Sequence, residues 1–201
     1  MNEPRVHLID DDADVRDSLS FLLETADVAV SGYDSASAFL AVAAAARGCI
    51  VTDIRMPGMD GLTLLARLKA MEVHLPTIVI TGHADVPMAV EAMKLGATDF
   101  LEKPFNEDAL LNTVKRALEA GTELDRRGAE GARFGERIAS LSARERQVLE
   151  GLIAGKANKV IANELDISPR TVEIYRANVM TKTQAGSLSE LVRMALIAGT
   201  T

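Results

Sequence analysis

Five short apolar runs in the first 120 residues constrain this chain more than any other feature. They lie at 6–9, 28–33, 49–52, 77–80 and 99–101. Several are continuously apolar, as strands are when both faces are covered. The segments between them have helical spacing instead. Val15, Leu19, Leu22 and Leu23 share one helical face, as do Leu62, Leu65 and Leu68. Five such repeats predict a doubly wound (βα)5 parallel sheet. Right-handed crossovers then bring every strand C-terminus to one edge, where such folds bind ligands.

That sheet uses only part of the chain. At 201 residues the sequence suits one large domain or two small ones. Its charge is divided unevenly. Residues 1–120 carry 10 Lys+Arg against 19 Asp+Glu, residues 121–137 carry 4 of each, and residues 138–201 carry 8 against 6. An acidic front and a mildly basic back point to two modules with different partners. No apolar run approaches the roughly 20 residues of a membrane span. The start, MNEPRVHLIDDD, lacks the basic-then-apolar order of a secretory signal. A cytoplasmic protein with no membrane partner is expected. Cys49 is the single cysteine, so no intramolecular disulfide can form; beside Ile50 and Val51 it reads as a small buried hydrophobe.

Residues 121–137, GTELDRRGAEGARFGER, break the rhythm with glycines and paired charges and read as a partly helical linker. The alanine run at 43–46 falls in a helical pattern. From Leu141 onward only helices are expected. Ser142 to Glu145 is a capping box, and Gly155 is placed to end the helix it opens. A short helix spans about 158–165. Asp166-Ile167-Ser168 makes a tight connection, and Ser168 with Pro169 starts a helix running to about 182. Ser187 to Glu190 opens a fourth helix. The arrangement is a small all-α four-helix module.

Chemistry gathers where the strands end. Asp10 and Asp11 follow the first run, Asp53 the third, Thr81 the fourth and Lys103 the fifth. Although distant in sequence, these positions converge at one edge of a parallel sheet. Adjacent carboxylates repel, and a hard divalent cation such as Mg²⁺ relieves that repulsion while leaving room for a phosphoryl oxygen. A carboxylate in such a pocket can attack phosphorus to give an acyl phosphate. Asp12, directly before a helix, reads as its N-cap rather than a ligand. His7 in a strand and His74 in a connection read as structural or solvated. His83, in the loop after Thr81, is a candidate for lining the pocket.

The stretches IDD, TDIRMPGMDG, VITGHAD and DFLEKPF together resemble the receiver domain of bacterial two-component response regulators, over residues 5–120. That resemblance implies a flavodoxin-like fold. It implies that Asp53 accepts a phosphoryl group from a sensor histidine kinase. Asp10, Asp11, Asp53 and the main-chain carbonyl of Arg55 would hold Mg²⁺ (or Mn²⁺). Thr81 and Lys103 would contact the phosphoryl group, and Thr81 and Phe100 would form the switch. The family often has Tyr where Phe100 stands. The reaction is the protein's own phosphorylation and dephosphorylation, so no other enzyme activity is expected.

In the back module the pair of helices across 158–177 has the form of a DNA-binding helix-turn-helix. At 100° per residue, Val172, Tyr175 and Val179 face inward. Arg170, Ile174, Ala177, Asn178 and Thr181 lie opposite, with Glu173 at the edge and Thr171 among the expected contacts. These groups suit base edges and thymine methyls. Lys159, Arg176 and Lys182 flank them as phosphate contacts. On pattern alone, a four-helix packing module with solvated charges stays open. The stretch from LSARERQVLE to YRANVMTK is similar to LuxR/NarL-type output domains, placing a DNA-binding domain at 138–201. Nearly the whole chain resembles the FixJ family. That implies a transcriptional activator of nitrogen-fixation genes, acting with RNA polymerase and paired with an oxygen-responsive haem sensor kinase.

Phosphorylation is expected to draw Thr81 inward, let Phe100 move, and turn the surface formed by the helix near 86–95 and the fifth strand into a homodimer face including Val90 and Lys94. The dimer would then bind promoter DNA. Two rivals stand beside this reading. One is a receiver-controlled adaptor or RNA-binding protein. The other is an aspartyl-nucleophile phosphatase, against which the expected nucleophile follows the third strand rather than the first.

Overall fold

A computed structural model describes residues 3–82 and 86–199. The chain divides into two compact units, the first ending at Asp125 and the second starting at Arg126.

In the first unit, strands β1 (Arg5–Ile9), β2 (Val30–Tyr33), β3 (Gly48–Asp53), β4 (Thr77–Thr81) and β5 (Asp99–Glu102) form one parallel sheet in the order β2-β1-β3-β4-β5. Every residue of β3 and β4 is buried, which is why their sequences are apolar without alternation. Helices α1 (Ala13–Thr25), α2 (Ala36–Leu40), α3 (Gly61–Ala70), α4 (Val86–Leu95) and the part of α5 (Glu107–Ala139) up to residue 125 cover both faces. Side chains alternate across each strand, so two cores form. Val6, Leu8, Cys49, Val51, Ile78 and Ile80 pack with Leu19 and Leu23 of α1 and with Leu110 and Val114 of α5. On the other face, Ile9 and Ile50 meet Phe39 of α2 and Leu64 and Leu68 of α3, while Ile54 and Val79 meet Leu65 of α3 and Ala92 of α4. Cys49 is fully buried, which pushes its thiol up to about 12.

Two local expectations change. The alanine run is not regular helix: α2 stops at Leu40, and Ala43–Ala45 form a 3-10 turn. Only Ala43 of that turn is buried, so the packing that would sustain a longer helix is missing. The stretch 121–137 lies wholly within the 33-residue α5. Its paired charges are the solvated face of that helix, including an Arg126–Glu130 contact of 2.6 Å one turn apart. Its apolar residues Phe134 and Ile138 are buried in the core of the second unit.

That unit holds α6 (Ala143–Ile153), α7 (Asn158–Leu165), α8 (Pro169–Thr183) and α9 (Leu188–Ile197). The capping box is complete: Glu145 N donates to Ser142 Oγ and Ser142 N to Glu145 Oε2. Asp166, at φ 53°, closes α7 in the left-handed region and turns the chain into α8. Ser168 caps α8 through Thr171 N, with Pro169 in the first turn. Val148, Leu149, Ile161, Val172, Val179 and Leu191 meet in one core.

Candidate functional site

The parallel register brings the strand ends level. Ile9 pairs with Thr52, Asp53 with Ile80 and Thr81 with Glu102. Asp10 therefore leaves β1 beside Asp53, the last residue of β3. Lys103 follows β5 directly, its N–H donating to Thr81 O at 2.8 Å. Asp10 is 2% exposed, Asp53 7% and Thr81 1%. Lys103 bridges the two acids: its Nζ is 3.1 Å from Asp10 Oδ2 and 3.0 Å from Asp53 Oδ1. Burial alone would lower the ammonium pKa; the hydrogen bonds and charges of Asp53 and Asp10 outweigh it and hold the group above its ordinary value.

The remaining carboxylate oxygens are bound by backbone. Asp12 N donates to Asp10 Oδ1 at 3.0 Å, and Arg55 N to Asp53 Oδ2 at 2.6 Å. Asp12 spends its own side chain on Asp14 N and Val15 N and is the cap of α1. Gly61 begins α3 against this loop. A Cβ there would lie 2.4 Å from Asp53 O, so only glycine lets α3 approach so closely.

Two buried carboxylates against one ammonium leave net negative charge, and their hard oxygens fit a divalent cation. Asp11 is exposed. Among the described residues no three His, Cys, Asp or Glu side chains gather as a ready metal cluster. Arg16 was not singled out from sequence. Its Nη1 donates to Asp10 O at 2.7 Å, pinning the loop after β1. The available signal was an arginine in the opening turns of the helix after the acids. Phe100 is half-buried against Ile54, Val79 and Ala92. On α4, Val90 is 46% exposed, and Lys94 is also exposed. His83 lies outside the described residues.

In the second unit, Arg170, Glu173, Ile174, Ala177, Asn178 and Thr181 line the exposed side of α8, opposite Val172 and Val179. Thr171 and Arg176 are half-buried, and Lys159 is exposed on α7. Lys182 differs from its neighbours. Its Nζ donates to the buried Glu145 Oε2 at 2.7 Å. That bond, with the Ser142 N–H next, holds the Glu145 carboxyl down at about 2.

The chain matches two family models. Residues 6–115 match the response regulator receiver domain, and residues 139–195 match the bacterial regulatory proteins of the luxR family. It is 60% identical over 195 residues to the transcriptional regulatory protein FixJ of Azorhizobium caulinodans, covering 96% of this chain and 92% of that protein. With FixJ of Bradyrhizobium diazoefficiens it shares 56% over 195 residues, covering 96% and 95%. This chain belongs to the FixJ family of response regulators. Full-length FixJ from B. japonicum has a solved structure similar to it, with a TM-score of 0.59, 54% identity and full coverage of both chains. As a FixJ-family member the protein is a phosphorylation-dependent transcriptional regulator of a two-component system, not a metabolic enzyme. Its receiver implies a sensor kinase as partner, and its helix-turn-helix implies DNA. Among the described residues, no helix is long and apolar enough to cross a membrane.

Proposed function

We propose that Asp53 is the phosphorylated residue and that its modification controls promoter binding. The observation that carries this reading is the double contact of Lys103 with Asp10 and Asp53 at the strand ends. An Asp53 oxygen attacks the phosphorus of a kinase phosphohistidine. A P–O bond forms, the N–P bond breaks, and the imidazole departs with the electron pair and takes a proton from water. Lys103 and Thr81 meet the phosphoryl oxygens. Mg²⁺ (or Mn²⁺), held by Asp10, Asp11, Asp53 and the Arg55 carbonyl, would neutralise charge on the transferring group when bound.

The switch then runs from Thr81 to Phe100 and on to α4, where Val90 and Lys94 belong to the homodimer face. The dimer presents two copies of α8 to promoter DNA in the cytoplasm. Arg170, Thr171, Glu173, Ile174, Ala177 and Asn178 face base edges there; Lys159, Arg176 and Lys182 face phosphates. Residues 5–120 act as receiver and 138–201 as output, with 121–137 between them. RNA polymerase is the downstream partner and nitrogen-fixation genes the target. The exposed polar side of α8 and the exposed apolar residues of α4 support these assignments.

Promoter binding by wild type and Asp53→Asn, each with and without a small phosphodonor, tests the reading. Stimulation of wild type alone is expected. Equal, strong binding in all four conditions would sink it. Sedimentation with beryllofluoride should show a dimer in wild type, and a persistent monomer at binding concentrations would remove the dimer step.

A further inference from the structure

Helix α8 turns a mixed face outward. Arg170, Ile174, Ala177 and Asn178 are exposed on it with Glu173 at its edge, while Val172 and Val179 are buried behind. Some polar groups beside that face are already committed. Lys182 Nζ donates to Glu145 Oε2 at 2.7 Å, and Thr171 Oγ1 lies 2.8 Å from Ser168 Oγ. Arg170 and Glu173 are different. They stand one turn apart with opposite charges, a spacing at which such pairs stabilise helices. Yet among the described residues neither has an ion pair or a side-chain hydrogen bond.

A free carboxylate is an unexpected group to present to DNA. The duplex carries about one negative charge per 1.7 Å, so Glu173 opposes binding to every sequence alike. Only base edges that donate a hydrogen bond can offset that cost. Guanine N7 and O6 and thymine O4 are acceptors and repel a carboxylate; the amino groups of cytosine and adenine attract it. At adenine the N7 acceptor lies beside the amino group and opposes the second carboxylate oxygen, which leaves cytosine favoured. Arg170 has the complementary preference, because its guanidinium fork fits guanine O6 and N7 through two bonds. Three residues of helix advance by about 4.5 Å, close to the roughly 3.4 Å between stacked base pairs, so the two side chains reach neighbouring steps. Ile174, 57% exposed, and Ala177 share the face but carry no hydrogen-bonding group, so neither competes for a polar base edge.

We propose that Glu173 is a specificity-determining residue: it selects cytosine in the base pair next to the guanine read by Arg170. This rests on the reading of α8 as the helix that meets promoter DNA, and it adds which bases that helix accepts.

Selection from a randomised duplex pool tests this, using the full chain with and without beryllofluoride. Glu173→Gln, Glu173→Ala and Arg170→Ala are compared with wild type; all change exposed side chains. Wild-type sites should hold a fixed cytosine beside a fixed guanine, with other bases at the cytosine position binding about tenfold more weakly. Glu173→Gln should move that position to adenine, whose N6 and N7 pair with an amide. Glu173→Ala should open the position to all four bases and raise affinity for unrelated DNA about threefold, since a charge facing phosphates is gone. Arg170→Ala should relax the guanine and leave the cytosine fixed. A switch from cytosine to adenine is a change that a merely solvated carboxylate would not produce. If both Glu173 variants keep the wild-type base preferences and only bind all DNA more tightly, the proposal is overturned. A Glu173-dependent position that holds another base in wild type overturns it too. Both outcomes leave α8 as the reading helix. If wild type enriches no sequence in either state, the reading of α8 itself falls, and the proposal with it.

Discussion

Two lysines in this protein each clasp a buried carboxylate, with opposite outcomes. In the receiver, Lys103 stands between Asp10 and Asp53 at 3.1 and 3.0 Å, so one ammonium serves two acids. In the output module, Lys182 meets one acid, Glu145, at 2.7 Å, and the Ser142 N–H shares the same oxygen. The first cluster keeps excess negative charge, and under the function proposed above it takes up a cation and a phosphoryl group. The second is neutralised and serves to hold the end of α8 to the start of α6. Counting charges against partners therefore separates a reactive site from a structural clamp, although both look like buried salt bridges.

Substitutions at the two clusters should diverge most at Asp53. Asp53→Asn should abolish phosphorylation by a small phosphodonor, read by intact mass, while the fold is retained by circular dichroism. Lys103→Met should slow phosphorylation by about 100-fold, since it removes a positioned cation from the developing charge. A normal rate would break the distinction. At the clamp, Glu145→Gln should cost about 2 kcal/mol of output-module stability in urea unfolding, and phosphorylation should be unchanged.

Proton linkage sharpens the contrast further. The Glu145 pKa is depressed from 4.5 to about 2, so its contribution is complete above 4.5 and is lost as pH falls toward 2. Acid titration of wild type against Glu145→Gln should show this loss in wild type only. His7 is also depressed, below 6.5. The unfolded chain takes up that proton first, so receiver stability should fall as pH drops below 6.5, and His7→Gln should flatten the slope. The smallest effect concerns DNA. Lys159→Ala should reduce the salt dependence of binding by about one unit of slope. Lys182→Gln should change it less, because part of its charge is already committed to Glu145.

Much of the site was legible because the fold converts strand ends into neighbours. Once five βα repeats were recognised, Asp10, Asp53, Thr81 and Lys103 had to share an edge. The output helices were readable from Ser142, Ser168 and Ser187, whose caps are local and need no tertiary information. Arg16 was not readable: its bond to the Asp10 carbonyl depends on how α1 lies against its loop. Nor was the unbroken course of the helix through 121–137, which reads in sequence only as partly helical. Glycines weaken helices locally, and the burial of Phe134 and Ile138 that favours this one is non-local.

Periodicity, caps and residue type thus determined the element order, the two-module division and the identity of the acidic edge, since each depends on neighbours within a turn or on strand direction. Partnership between distant side chains was decided only in three dimensions. Glu145 carries the same local signature as any capping-box acid, yet packing α6 against α8 also makes it the partner of Lys182, a pairing no local pattern shows. Arg5 likewise reads as an ordinary strand-opening arginine until the fold buries its Nε without a partner.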